Sequence, residues 1–160
     1  MKNLVKFILF ITIVGSIIGA SVSSCAEETN CALDGRPTLN CYMYKIVSNV
    51  VKNDTLDSLT VTAFGTDSII INNQEDVHDI LLPLRYTVDS TIFVLHYSET
   101  LLDTIIVHYT NTAKFISMDC GYQMQQSVTG VSYTEHNLDS IYISNEDANT
   151  LETENFKLFH

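Results

Sequence analysis

Four cysteines and five histidines are the residues whose chemistry could define a site in this chain. Cys25 and Cys31 stand six positions apart, Cys41 lies in LNCYMYKIV and Cys120 lies in SMDCGY. There is no C-x-x-C pair and no histidine spaced against a cysteine, as a structural zinc site would require. His96 in LHYSE and His108 in VHYTN are the best-looking metal pair. If STIFVLHY and TIIVHY fold as a hairpin about their five-residue loop, His96 lies opposite a residue near Thr104. His108 then falls roughly 13 Å further along, too far to share an ion. Both read as ordinary sheet histidines. Cys120 beside Asp119 offers a nucleophile that would need a base such as His136, but an oxidising compartment favours a disulfide there. The motif G-x-S-x-G is absent, and nothing singles out two of the nineteen acids as a glycosidase pair. The expectation is a protein that is not an enzyme, with no catalytic residue, no metal and no cofactor.

The compartment is read from the N-terminus. MKNLVK carries two lysines and no acid, Phe7 to Ala20 is fourteen residues without a charge, and SVSS supplies small residues before Cys25. That order is a secretory signal over residues 1–24. The apolar run is short of the about 20 residues that a transmembrane helix needs. Val22-Ser23-Ser24-Cys25 resembles the lipobox of bacterial lipoproteins. The resemblance implies cleavage before Cys25 and a diacylglyceryl thioether on its sulfur. Two or more acyl chains anchor a protein stably, at about 0.8 kcal/mol per buried methylene. In lipoproteins of this kind an Asp after the cysteine favours the inner membrane. Ala26 stands there instead, and Glu27-Glu28 partly resembles the export signal of surface lipoproteins in Bacteroidota. The expected location is the outer membrane, with the membrane itself a partner through acyl chains on Cys25.

Removing the first 24 of 160 residues leaves six Lys/Arg against nineteen Asp/Glu, a net charge of about −13. Phosphate binding rests on lysine and arginine, so nucleic acid is excluded as a partner. Like charge equally disfavours lying on an anionic leaflet. Cys41 shares an alternate set with Leu39 and Met43, which reads as a buried face. Cys31 sits in a linker before Pro37, and Cys120 closes a strand pattern. The pairing favoured is therefore Cys31 with Cys120, with Cys41 a buried free thiol.

The elements that must position these residues are strands. Asp followed by Ser or Thr and then aliphatic residues recurs at Asp57, Asp67, Asp89, Asp103 and Asp139. Asp closes turns through its side-chain oxygens, and the residues after it favour extended backbone. The spacing predicts short strands at 38–47, 57–64, 68–72, 79–82, 90–97, 103–110, 113–118, 121–128, 138–144 and 154–159. NQEDVHD, residues 73–79, reads as a solvated acidic loop, and NFKLFH as an edge-closing strand. The economical architecture is all-β: one antiparallel β-sandwich over 38–160, immunoglobulin-like in outline. Residues 25–37 would be a lipid-anchored linker spanning at most about 40 Å.

Several stretches together resemble one family: Cys31, RPTLNCYMY, DILLPLRY from Asp79, FISMDCGYQM from Phe115, and NLDSIYISN followed by ENFKLF. They are similar to domain of unknown function 6452, a family of uncharacterised Bacteroidota lipoproteins. The resemblance implies a secreted, lipid-anchored β-rich domain over most of residues 31–160. It carries over no catalytic residue, and it favours Cys31 and Cys120 as a pair. Cys41 departs from the plain aliphatic residue expected there.

The functional expectation is a non-catalytic structural or protein-binding component of the cell envelope. Its rivals are a surface glycan-binding module, a fimbrial-type subunit and, last, a hydrolase. A sugar platform would have to use tyrosines such as Tyr122, Tyr133 and Tyr142, because the chain has no tryptophan.

Overall fold

The computed structural model describes residues 36–160, except 67, 119 and 150–152. The signal segment, Cys25, Cys31 and most of the linker lie outside the described residues. Ten strands follow in order: β1 (Thr38–Val47), β2 (Val50–Asn53), β3 (Leu56–Ala63), β4 (Ser68–Val77), β5 (Asp79–Pro83), β6 (Ser90–His96), β7 (Leu102–Ser117), β8 (Gly121–Tyr133), β9 (Ser140–Ile143) and β10 (Glu154–Phe159). The described residues contain no helix.

Period-two burial drives the arrangement. In β6, Thr91, Phe93 and Leu95 are buried while the residues between them are half-buried. In β7, Asp103, Ile105, Val107 and Tyr109 are buried in the same way. Burying a Leu- or Phe-sized side chain stabilises by about 1.5–3 kcal/mol, so this alternation fixes which face turns inward. One sheet runs β4-β3-β6-β7-β8; the other runs β2-β1-β10-β9, with β5 also paired to β1. The two sheets of five strands share one core, in which Leu39, Cys41 and Met43 of β1 and Phe156 and Leu158 of β10 join Phe93, Leu95, Ile105 and Val107. The molecule is an all-β, sandwich-like domain.

Several strand expectations change. β10 does not close an edge: it lies between β1 and β9, parallel to β1 and antiparallel to β9. The otherwise antiparallel sandwich therefore contains one parallel pair, with Cys41 opposite Phe156 and Met43 opposite Leu158. β2 was not anticipated from the sequence. It arises because Ser48 and Asn49 both adopt positive φ (53° and 62°), the geometry of a two-residue hairpin turn, which Asn tolerates better than most residues. The acidic stretch after Asn72 is not a loop but the second half of β4, which runs to Val77. Residues 102–117 form one strand rather than two.

The repeated Asp motif has a mixed outcome. Asp89 and Asp139 directly precede β6 and β9, as strand-entry residues should, whereas Asp57 and Asp103 lie inside β3 and β7. Asp67 is outside the described residues.

Candidate functional site

Asp103 is the one buried carboxylate among the described residues. Its Oδ1 accepts from the Thr134 hydroxyl at 2.8 Å and the His136 main-chain N–H at 2.9 Å. Its Oδ2 accepts from the main-chain N–H groups of Asn137 and Leu138 at 2.8 and 2.9 Å. The His136 ring Nδ1 lies 3.0 Å from Oδ1. Burial pushes the pKa of Asp103 up, but these hydrogen bonds outweigh it and hold the group at about 2, below the usual 3.8. A carboxylate so saturated has no lone pair to spare for proton transfer. Its role is to clamp the turn after β8 onto β7.

Two further networks are also structural. The Tyr109 hydroxyl meets Thr91 Oγ1 at 2.7 Å, accepts from the Arg85 N–H and donates to the Arg85 carbonyl. Asn155 accepts from the Asn40 N–H at 3.0 Å and donates to the carbonyls of Asn145 and Asp147, tying the β9–β10 connection to β1. Both networks satisfy main-chain groups that burial would otherwise leave unpaired.

His96 and His108 are further apart than the sequence predicted. His96 pairs with Leu102 and His108 with Ser90, so six residues separate their register positions, about 20 Å along the strand. Among the described residues no cluster of three His, Cys, Asp or Glu could hold a metal ion. Cys120 and His136 are not brought together. They flank opposite ends of the thirteen-residue strand β8, roughly 40 Å apart, and His136 is turned to Asp103 instead. Cys41 is the buried free thiol expected, its pKa driven far up by desolvation. Cys25, the expected lipidation site, and Cys31, the expected partner of Cys120, lie outside the described residues. Tyr122 and Tyr133 stand at opposite ends of β8 and Tyr142 lies in the other sheet, so the three share no platform.

Three surface features remain. A cleft of about 440 Å³ opens over Ser58, Thr60 and Thr62 of β3, with His96, Tyr97 and Glu99 beside them. Two of its hydroxyls are already engaged: Thr62 lies 3.1 Å from His96 Nε2, and Thr60 accepts from the Asn73 N–H. The second feature is a two-stranded arm. Beyond His108, β7 leaves β6. Its base is still tied to the β5–β6 connection through Tyr109 and Asn111, and β8 to residues 146–148 through Gln126 and Val128. From Thr112 and Gln125 outward the two strands run on as a ribbon to the turn at Gly121. Phe115 and Tyr122 face each other near its end with ring centres 5.4 Å apart. Phe115, Ile116, Met118 and Tyr122 are exposed there, Met118 at 91%. The third is an apolar groove of about 300 Å³ lined by residues of β4 and β5, which are strands of different sheets.

The model of a family of unknown function, DUF6452, matches residues 58–160, more than half of the chain. The chain belongs to DUF6452. No curated protein and no solved structure matches it. The DUF6452 match begins within β3 and covers the whole arm, the whole groove and the Asp103 clamp, while β1 and β2 precede it. In this DUF6452 chain the sequence reading missed both the arm and the groove. The signal for the arm was present: LDTIIVHYTNTAKFIS and GYQMQQSVTGVSY are longer than any neighbour they could pair with except each other.

Proposed function

We propose that this DUF6452 protein is a Bacteroidota-type lipoprotein of the cell envelope, held in the outer membrane through acyl chains on Cys25. There it serves as a non-catalytic component that binds another protein. The observation that carries the binding half is the β7–β8 arm. An isolated two-stranded ribbon is marginal in water, and this one exposes Phe115, Ile116, Met118 and Tyr122 at its end. Aromatic and methionine side chains grouped on a projecting element are the composition of an interface core rather than of a solvated turn. The anchor half rests on the sequence order before Cys25.

The same proposal includes a bridge from Cys31 to Cys120 at the tip of the arm. What supports it is that Cys41 is free and enclosed in the core, whereas Cys120 lies at the turn that ends the arm. Such a bridge would stiffen the arm by restricting its unfolded states.

Photo-crosslinking from position 118 in native membranes tests the reading. A protein adduct lost on Phe115→Ser, with the chain still folded, supports it. A monomer that gives no adduct, or an adduct unaffected by that change, overturns it. A second reading, glycan binding, draws on the hydroxyl-lined cleft beside His96 and Glu99. A glycan screen with the Glu99→Ala chain as control separates the two.

A further inference from the structure

Edge strands in soluble proteins are blunted by charges, proline, bulges or a covering segment, because their free main chain invites another strand. Three sheet edges here follow that rule. β4 carries Glu75 and Asp76 and breaks register with β3 on either side of Val61, and β2 carries Lys52. β8 is covered at Gln126 and Val128 by residues 146–148. β9 has no such device. It ends its sheet with β10 as its one strand partner among the described residues, and the pairing runs without a register shift from Ser140–Phe159 to Ile143–Phe156. The strand has only four residues, but Ser144 continues the ladder by donating to the Asn155 carbonyl at 2.8 Å. From Ser140 to Asn145 the chain reads SIYISN, with no charge and no proline.

Alternation decides which main-chain groups are free. The bond from Ser144 to Asn155 puts residues 140, 142 and 144 at the hydrogen-bonded positions that face β10. The N–H and C=O groups of Ile141 and Ile143 therefore point away from β10, where no strand meets them among the described residues. Side chains alternate as well. Ile141 and Ile143 turn towards the core yet are only partly buried, whereas Tyr142 is 62% exposed. The core is left open along this edge.

The sequence of β9 selects the occupant. Ser140-Ile141-Tyr142-Ile143-Ser144 reads the same in both directions. Two copies set antiparallel about a two-fold axis at Tyr142 therefore meet like with like. Ile141 of one copy lies opposite Ile143 of the other, and the two exchange the main-chain bonds that each has free. The two Tyr142 rings form the non-hydrogen-bonded pair, in which side chains approach most closely, and Ser140 meets Ser144. Asp139 falls opposite Asn145, so no like charges are opposed. A slip of one residue would set free groups against groups already bonded to β10, which specifies the register.

We propose that β9 is the edge through which two copies of this chain pair, joining their sheets into one continuous sheet across a two-fold axis. The inference goes beyond the arm: it names a second copy as a partner and stands on a different surface, so each can fail alone. With a net charge of about −13 on each body, the copies repel at a distance, and the contact should tighten as salt rises.

The test uses the full chain in mild detergent, with its mass read by sedimentation equilibrium. A concentration-dependent dimer is expected, and amide exchange should slow most at residues 141 and 143 as it forms. Tyr142→Lys and Tyr142→Glu each put like charges on the axis at an exposed site. Each should weaken the dimer at least tenfold while leaving the unfolding midpoint unchanged. Mixing the two variants should restore the dimer, because lysine then faces glutamate. A monomer throughout, a dimer that neither variant weakens, no recovery on mixing, or slowed exchange confined to other residues would each overturn the proposal. If crosslinking from position 118 still captures a protein, the protein-binding reading survives that failure.

Discussion

The carboxylate of Asp103 accepts the main-chain N–H of Leu138 at 2.9 Å, across 35 residues of chain. With the N–H groups of His136 and Asn137 held by the same side chain, one aspartate takes up the donors of a whole turn. Asp103→Ala leaves those donors buried or half-buried without an acceptor. The expected loss is about 3 kcal/mol of unfolding free energy, read by urea denaturation at neutral pH. Asp57→Ala, at the exposed counterpart of the same motif, should change stability little.

Acid titration separates the charge of Asp103 from its shape. Its folded pKa of about 2 lies below the ordinary 3.8. A depressed folded pKa contributes stability that is full above the unfolded value and lost as pH falls from about 4 towards 2. That contribution is about 2 kcal/mol. Thermal midpoints measured from pH 7 to pH 2 should drop steeply in this window, and the Asp103→Asn chain should show a shallower drop from a lower starting point.

Tyr109 offers a second test of buried polar order. Its hydroxyl serves Thr91 and both main-chain groups of Arg85, holding the β5–β6 connection against β7. Tyr109→Phe keeps the ring and removes the hydroxyl. The prediction is a loss of about 2 kcal/mol, with faster amide exchange at residue 85 while the core strands retain their protection.

Cys41 is enclosed between the sheets, and burial raises its thiol pKa far above the ordinary value. It should resist iodoacetamide in the folded chain at pH 8 and react only on unfolding, so its labelling should follow the denaturation curve. Cys41→Val should be tolerated, whereas Cys41→Asp, which buries a charge opposite Phe156, should prevent folding.

The strands rich in aliphatic residues were legible because each carried its own alternation: β1 and β10 fall at the residues the pattern predicted, and β6 lies within one residue of it. What the pattern could not carry was pairing. The parallel contact of β1 with β10 joins residues more than a hundred positions apart, and nothing local distinguishes a central strand from an edge. The His96–His108 spacing went wrong for the same reason, since two positions of register move a histidine by about 7 Å. The Asp103 clamp was hidden because its motif also occurs at strand entries. Only the return of residues 134–138 to β7 makes that one aspartate a buried acceptor.

The sequence by itself determined the all-β class, the acidic body and the family, because period-two hydrophobicity, charge and short motifs are properties of contiguous residues. Tertiary structure alone decided that β7 and β8 outrun their sheet as an arm and that β4 and β5 from different sheets border one groove. Both depend on which strands become neighbours. That choice is made by burying faces contributed from across the chain, and no single stretch of residues encodes it.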